Sequence, residues 1–156
     1  MDVFQRAREL GFRLTIHSGE ALGPASMWTV LKLIKPDRIG HGVRCIEDPS
    51  LVNHLKVHKI PLEICLTSNV LLGLCKSYSN HPIGQLVEAG VDVSINTDDP
   101  GFFNTSLSQE IDLAHSAGVS KPQMIDVLRN GFKHAFLDVQ RKAEYIDLYD
   151  KAIKSL

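Results

Sequence analysis

Four short polar clusters each follow a stretch of residues that favours a β-strand. They lie at residues 16–20 (IHSGE), 38–42 (RIGHG), 66–69 (LTSN) and 94–100 (SINTDDP). Three of them carry histidine or carboxylate side chains, the groups that bind metals and move protons. In a parallel α/β barrel the carboxyl ends of the strands open onto one face, where catalysis takes place. The clusters therefore predict one shared site at that face.

The residue types in these clusters suit metal-assisted hydrolysis. His17 and Asp98 are ligands of the kind that zinc accepts, although two ligands are too few for a stable site. Glu20 lies three residues after His17 and could donate a proton beside the metal. His41 could act as a base or as a charge near water on the metal, whose pKa zinc lowers to about 7. Taken singly, such residues are most often core or capping residues, and residues 98–100 could simply begin a helix. The conjunction of three strand ends is what favours a site.

The elements that must position the clusters alternate along the chain. Short apolar and β-branched runs predict strands at 12–16, 38–40, 62–66 and 91–95. Proline, aspartate and glycine signals predict helices at 3–10, after Pro24, after Asp48 and from 82 to 90, and helical spacing follows Pro100. A capping box is predicted at Ser120 and Gln123, and a last helix from Asp138 to about Lys154. Alternating strands and helices indicate an α/β fold with a parallel sheet, whose two faces we expect to be apolar.

The length of 156 residues is near that of one ordinary domain. No linker or low-complexity tract divides the chain, so residues 1–156 are predicted to form a single domain. An eight-stranded barrel needs about 250 residues. Four strand–helix units with extra helices are about half of one.

Composition narrows the classes of partner and compartment. The formal net charge of −1 gives no general attraction to nucleic acid or membranes. The sequence has no apolar run of about 18 residues and no apolar core of a signal peptide near its start. Its three cysteines form no Cys-x-x-Cys pair, so we expect packed thiols rather than a disulfide framework. These features predict a cytoplasmic protein without nucleic-acid or membrane partners.

The clusters together resemble the adenosine deaminase family of zinc aminohydrolases. The segments concerned are 15–20 (TIHSGE), 38–42 (RIGHG), 63–69 (EICLTSN) and 94–100 (SINTDDP), in the family's order along nearly the whole chain. The resemblance implies a parallel (β/α) barrel of the TIM-barrel type, of which this chain supplies about the last four strand–helix units and the C-terminal helices. It also implies hydrolytic deamination of adenosine to inosine and ammonia by a zinc-activated water, a step of purine salvage.

The resemblance also implies a role for each matching residue. His17 is expected to be a zinc ligand, and Asp98 a zinc ligand that also orients the water. Glu20 is expected to protonate ring N1 of the purine, and His41 to assist the water. Asp99 is expected to be a hydrogen-bond partner of ring N7. The cofactor is Zn²⁺ and the partner is a small purine nucleoside.

The chain also departs from the family pattern. Family members carry a His-x-His pair on the first strand, and no such pair occurs here. The first four strands have no counterpart, and half a barrel has two open edges. We therefore expect another chain, or the missing N-terminal half, to close the barrel. The alternatives are a non-catalytic truncated barrel, or a deaminase of adenine, an adenine nucleotide or a modified adenosine.

The other histidines are predicted to lie on or near helices. His54 and His58 are spaced as neighbours on an exposed helix face, far from the strand ends. His115 and His134 are predicted to be helix residues without a role in the site. His81, before Pro82, is predicted to begin a helix.

Overall fold

A four-stranded parallel sheet organises the chain, with its strands in the order β1-β2-β3-β4. The structure is a computed structural model that describes residues 2–155. The strands are β1 (Thr15–Ser18), β2 (Arg38–His41), β3 (Leu62–Ile64) and β4 (Val93–Ile95). The parallel α/β prediction is confirmed.

Helices connect the strands and then continue to the end of the chain. They are α1 (Asp2–Glu9), α2 (Pro24–Leu33), α3 (Pro49–His58), α4 (Leu66–Leu71), α5 (Ile83–Glu88), α6 (Pro100–Phe103), α7 (Leu107–Ser116), α8 (Lys121–Lys133) and α9 (Val139–Lys154). Short 3₁₀ turns cover Val43–Glu47 and Tyr78–Asn80. None of the helices within residues 2–155 is both long enough and apolar enough to cross a membrane.

Local capping signals explain where the helices begin. The Asp48 carboxylate accepts hydrogen bonds from two backbone N–H groups of α3, as the sequence predicted. The capping box of Ser120 and Gln123 is present at α8. Asp138 accepts from the Arg141 N–H at the start of α9. These predictions are confirmed.

Three of the predicted strand ranges differ from the structure by two residues or more, and one of them is the fourth strand, which begins at Val93 rather than at residue 91. The first strand begins at Thr15 rather than at residue 12, because the Phe12 N–H still donates to the Ala7 carbonyl at the end of α1. The third strand ends at Ile64, since the Asn69 N–H donates to the Cys65 carbonyl and winds the chain into α4.

The expectation that both sheet faces are apolar was also wrong. One face carries fully buried aliphatic side chains that pack under the helices: Ile39, Leu62, Ile64 and Val93. The opposite face is polar, because the Glu63 carboxylate accepts a 2.6 Å hydrogen bond from the Thr15 hydroxyl and lies 3.0 Å from Arg38 Nε. The sheet therefore pairs one apolar face with a face that holds its own ion pair.

Glu110 anchors the unpredicted helix α4 from a distance in sequence. Its side chain is fully buried on α7. One carboxylate oxygen accepts from the Thr67 N–H at 3.1 Å, and the other accepts from the Thr105 hydroxyl at 2.7 Å. The carboxylate thus satisfies a backbone donor in the first turn of α4, which has no partner inside the helix.

Replacing Glu110 with glutamine keeps its shape but turns one acceptor into a donor. We expect E110Q to lower the free energy of unfolding by about 1–3 kcal/mol, since a buried donor then lacks its acceptor. Chemical denaturation of the two proteins measures the difference. The control is D112N, which changes an exposed carboxylate of the same helix. Equal stability of E110Q and the wild type would show that Glu110 does not anchor α4.

Candidate functional site

A cavity of about 460 Å³ opens at the carboxyl ends of the strands. Leu107, at the start of α7, lines one side. The rest of the lining comes from the four strands or from the residues that follow them: His17, Gly40, His41, Glu63, Cys65, Ile95, Asn96, Thr97 and Asp98. Three of the five predicted site residues are among them. The parallel register accounts for this, because it sets His17 beside Gly40 and Ser18 beside His41.

His17 lies over the backbone of the neighbouring strand. A Cβ atom on Gly40 would collide with the His17 ring, so the absence of a side chain at position 40 creates the space that the ring fills. The ring meets His41 edge-on, with centroids 4.9 Å apart. His17 is itself exposed toward the cavity.

His41 is the most buried of the predicted site residues, with its side chain 3% exposed. Its Nε2 atom lies 3.6 Å from Glu20 Oε1 and 3.9 Å from Asp98 Oδ2. Burial lowers the pKa of His41, and the neighbouring Glu20 and Asp98 carboxylates only partly oppose that shift. The predicted acid, histidine and aspartate therefore converge on one imidazole nitrogen.

The backbone at His41 and at Asp98 is left-handed, with φ of 60° and 56°. Side-chain alternation along β2 would place His41 on the face of Ile39. The ring instead lines the cavity beside His17, because the chain leaves the extended conformation at this residue. Such a backbone costs about 1–3 kcal/mol per residue and is concentrated at functional sites.

Two overlapping groups of donor atoms have the spacing of metal ligands. One joins His17, Glu20 and His41, and the other joins His41, Cys65 and Asp98, with the donor atoms of each group within 4.8 Å of one another. Among residues 2–155, no such group contains both His17 and Asp98. Imidazole nitrogen and carboxylate oxygen suit zinc, so the chain fits this metal but supplies only part of a closed coordination shell.

Cys65 is a cavity residue that the sequence did not identify. It was predicted only to be a packed thiol, and it is buried and unpaired by any disulfide. Burial, reinforced by the nearby Asp98 and Glu110 carboxylates, raises the pKa of its thiol to about 12. The group therefore stays a neutral thiol at neutral pH, which makes it a poor ligand without a metal to ionise it.

Asn69 and His81 were also missed as residues of the site. Asn69 is fully buried, and its amide nitrogen lies 3.1 Å from His41 Nδ1. Its amide oxygen lies 3.1 Å from Nε2 of His81, which is 2% exposed. The polar run at 66–69 was the only signal in the sequence, and its spacing to His81 gave no reason to connect the two.

Asp99 and the four remaining histidines do not line the cavity. Asp99 is exposed and does not line the cavity. His54 and His58 stack on each other on α3, with ring centroids 4.0 Å apart. His115 bonds to the Val119 carbonyl, and neither it nor His134 lines the cavity. His134 caps the end of α8 rather than lying within it.

Comparison with known proteins gives one consistent family. The family model described as adenosine deaminase matches residues 1–152. The adenosine deaminase of Klebsiella pneumoniae (strain 342) is 42% identical over 144 residues, which are 92% of this chain and 43% of that enzyme. The chain therefore spans less than half the length of this curated relative.

Solved structures agree with the sequence match. The adenine deaminase of Arthrobacter aurescens superposes with a TM-score of 0.92 at 30% identity, over 98% of this chain and 47% of that one. An Arabidopsis N6-mAMP deaminase superposes with a TM-score of 0.82 at 34% identity, over 94% of this chain and 43% of that one. The four-stranded unit thus has the fold of the matching part of these deaminases.

The space over Gly40 generates a test of the site geometry. We expect G40A to push the His17 ring out of its position. Because His17 is exposed and can move, the free energy of unfolding should fall by no more than about 1 kcal/mol, the lower end of the cost of overpacking. Ring resonances of His17 in nuclear magnetic resonance (NMR) spectra report the displacement, and chemical denaturation reports the stability. The matched control is G101A, where an added Cβ meets no atom within 4 Å. Unchanged His17 resonances in G40A would contradict the packing described here.

Proposed function

This chain belongs to the adenosine deaminase family, and we propose that it forms the acid–base half of an aminohydrolase that removes the 6-amino group of adenosine. The observation that carries the proposal is the convergence of Glu20 and Asp98 on Nε2 of His41, at 3.6 and 3.9 Å. Water replaces the amino group at C6, and the products are inosine and ammonia.

A zinc ion is part of the proposal. His17 and Asp98 would hold it from this chain, and the remaining ligands would come from outside the chain. Zinc supplies a Lewis acid that makes a water molecule nucleophilic at neutral pH. The arrangement of donors around His41, which belongs to both groups of possible ligands, supports a metal at this end of the cavity.

The proposed proton transfers use the side chains of this chain. As the water oxygen adds to C6, Asp98 accepts a proton from the water and Glu20 donates one to ring N1. Asp98 then passes its proton to the amino nitrogen, and the new C6 hydroxyl returns a proton to Glu20. The C6–N bond breaks as the C6–O double bond forms, and ammonia leaves. Asp99 would contact ring N7 from the start of α6, where its side chain is exposed. Positioned acids and bases of this kind contribute about 10²- to 10⁴-fold in rate.

The substrate class is proposed from the relatives. The compared proteins are named for adenosine, adenine and N6-mAMP, which share an adenine ring with nitrogen at C6. The chain is 42% identical over 144 residues to an adenosine deaminase, so adenosine is the first substrate to test. Adenine and adenine nucleotides, including N6-modified ones, follow.

A non-catalytic role is the second candidate. The sequence contains no His-x-His pair, and the part of the chain that the structure describes gathers no group of three donors with both His17 and Asp98. A barrel remnant that no longer binds metal would have these properties. It would not need the buried His41 or the strained backbone at Asp98.

A partner is proposed to complete the barrel. Within residues 2–155, β1 and β4 each pair with one neighbour, so each leaves one edge unpaired. Exposed aromatic residues flank the two edge strands in sequence, with Phe12 64% exposed before β1 and Phe102 81% exposed after β4. We propose that residues 1–156 form one structural unit whose edges pair with an N-terminal barrel half or with another copy.

A chimaera tests the chemistry of this chain directly. The chain replaces the matching segment of the Klebsiella pneumoniae enzyme, and ammonia release is measured with zinc and with adenosine, adenine, AMP and N6-methyl-AMP. We expect turnover of adenosine, and we expect E20Q to lower kcat by about 10²- to 10⁴-fold, because the proton donor is lost.

The control for the chimaera is E88Q, which changes an exposed glutamate of α5 and should leave kcat unchanged. A folded, zinc-loaded chimaera without turnover of any substrate would favour the non-catalytic candidate. The isolated 156-residue chain with added zinc is expected to be inactive. Activity that disappears in E20Q of the isolated chain would mean that a second copy supplies the missing ligands.

The open edges predict the behaviour of the isolated chain. We expect the purified chain to form dimers or larger assemblies, because unpaired strand edges recruit other strands. Size-exclusion chromatography with light scattering measures the mass, and adding the N-terminal half of the Klebsiella enzyme should convert the assemblies to a one-to-one complex. A monodisperse monomer that unfolds cooperatively would contradict the need for a partner.

A further inference from the structure

We propose that Asn69 and His81 are positioning residues that fix which nitrogen of His41 carries its proton. Three hydrogen bonds connect the backbone at the start of α5 to His41, through two side chains that are almost completely buried. We call this chain, from the Ile83 N–H through His81 and Asn69 to His41, the tautomer relay. Each bond in it decides the direction of the next.

The first hydrogen bond can have only one direction, because a backbone N–H group can donate but cannot accept. The Ile83 backbone N–H donates to Nδ1 of His81 at 3.2 Å, so Nδ1 must be the unprotonated nitrogen of that ring. The proton of neutral His81 therefore lies on Nε2. Burial lowers the pKa of His81 to about 4, in keeping with a neutral ring at neutral pH.

The second bond fixes the orientation of the Asn69 amide. The Nε2–H of His81 needs an acceptor, and the atom of Asn69 that faces it at 3.1 Å is the amide oxygen. The amide nitrogen must then face His41. Oxygen and nitrogen of an amide are otherwise exchangeable in assignment, so His81 is what removes the ambiguity.

The third hydrogen bond determines which nitrogen of His41 is protonated. The Asn69 amide donates to Nδ1 of His41 at 3.1 Å, which leaves Nδ1 as the acceptor. Neutral His41 must carry its proton on Nε2, the atom that faces Glu20 Oε1 and Asp98 Oδ2. Neutral His41 is thus a hydrogen-bond donor toward the cavity, and the role of base passes to a carboxylate.

The relay satisfies both polar ends of a buried side chain that lies next to an unsatisfied one. Ser68, next to Asn69, is as fully buried, yet its hydroxyl has no hydrogen-bond partner. At Asn69 both polar ends of the side chain are satisfied by histidines that are 12 and 28 residues away in sequence. A buried amide needs a partner at each end, and here both partners are imidazoles, so the orientation of the amide couples the two rings.

The experiment reads the tautomers directly. The ¹⁵N-labelled chain is measured in its one-to-one complex with the unlabelled N-terminal half of the Klebsiella enzyme, without added zinc. Two-bond ¹H–¹⁵N correlation spectra at neutral pH identify which ring nitrogen of each histidine carries a proton. In the wild type, His41 and His81 should both be protonated on Nε2. A proton on Nδ1 of neutral His41 would overturn the relay without any variant being made.

Two variants change the direction of the relay in different ways. N69D presents an acceptor to both histidines, so the ring proton of His41 should move to Nδ1 or a second proton should appear there, while His81 is unchanged. H81Q retains an amide donor near the position of Nε2, so His41 should keep its Nε2 proton. The control S68A should alter neither ring.

Backbone spectra of each variant establish that it is folded. A folded N69D in which His41 keeps the wild-type tautomer would overturn the relay, and so would a folded H81Q in which His41 changes. Only the meaning of the tautomer for catalysis rests on the proposed function, because the spectra need neither zinc nor substrate. An inactive chimaera with the expected tautomers would contradict the proposed function but not the relay. An active chimaera with the wrong tautomers would contradict only the relay.

Discussion

The left-handed backbone at His41 and Asp98 is the constraint on which the site depends. Parallel pairing brings the strand ends to one edge, but alternation alone would send His41 toward the helices. Both residues lie at or just beyond a strand end, at φ of 60° and 56°, whereas the other non-glycine residues with positive φ terminate helices. The surrounding core must supply the free energy that holds this backbone, at about 1–3 kcal/mol for each residue. The convergence of imidazole and carboxylate follows from it.

Local signals in the sequence predicted the presence of four strands and the helices other than α4. The capping side chains of Asp48, Ser120 and Asp138 bond to backbone groups within three residues, so a short stretch of sequence is enough to predict them. Helix α4 escaped prediction because its anchor, Glu110, lies 43 residues from Thr67. No local pattern carries such a contact.

The same division applies to the candidate site. His17, His41 and Asp98 could be found because their residue types follow strand-like runs. Asn69 could not, since its meaning comes from a histidine 28 residues before it and another 12 residues after it. Residues that do chemistry have recognisable types, whereas residues that orient them are recognisable only by what they touch.

The start of the tautomer relay has a consequence for how sequence change affects it. Its first donor is the main-chain N–H of Ile83, a group that every amino acid except proline carries. The side chain at position 83 can therefore vary in identity without altering the polarity that reaches His41. The protonation pattern of the site would then be set by a backbone group that amino-acid substitutions, other than those to proline, leave in place.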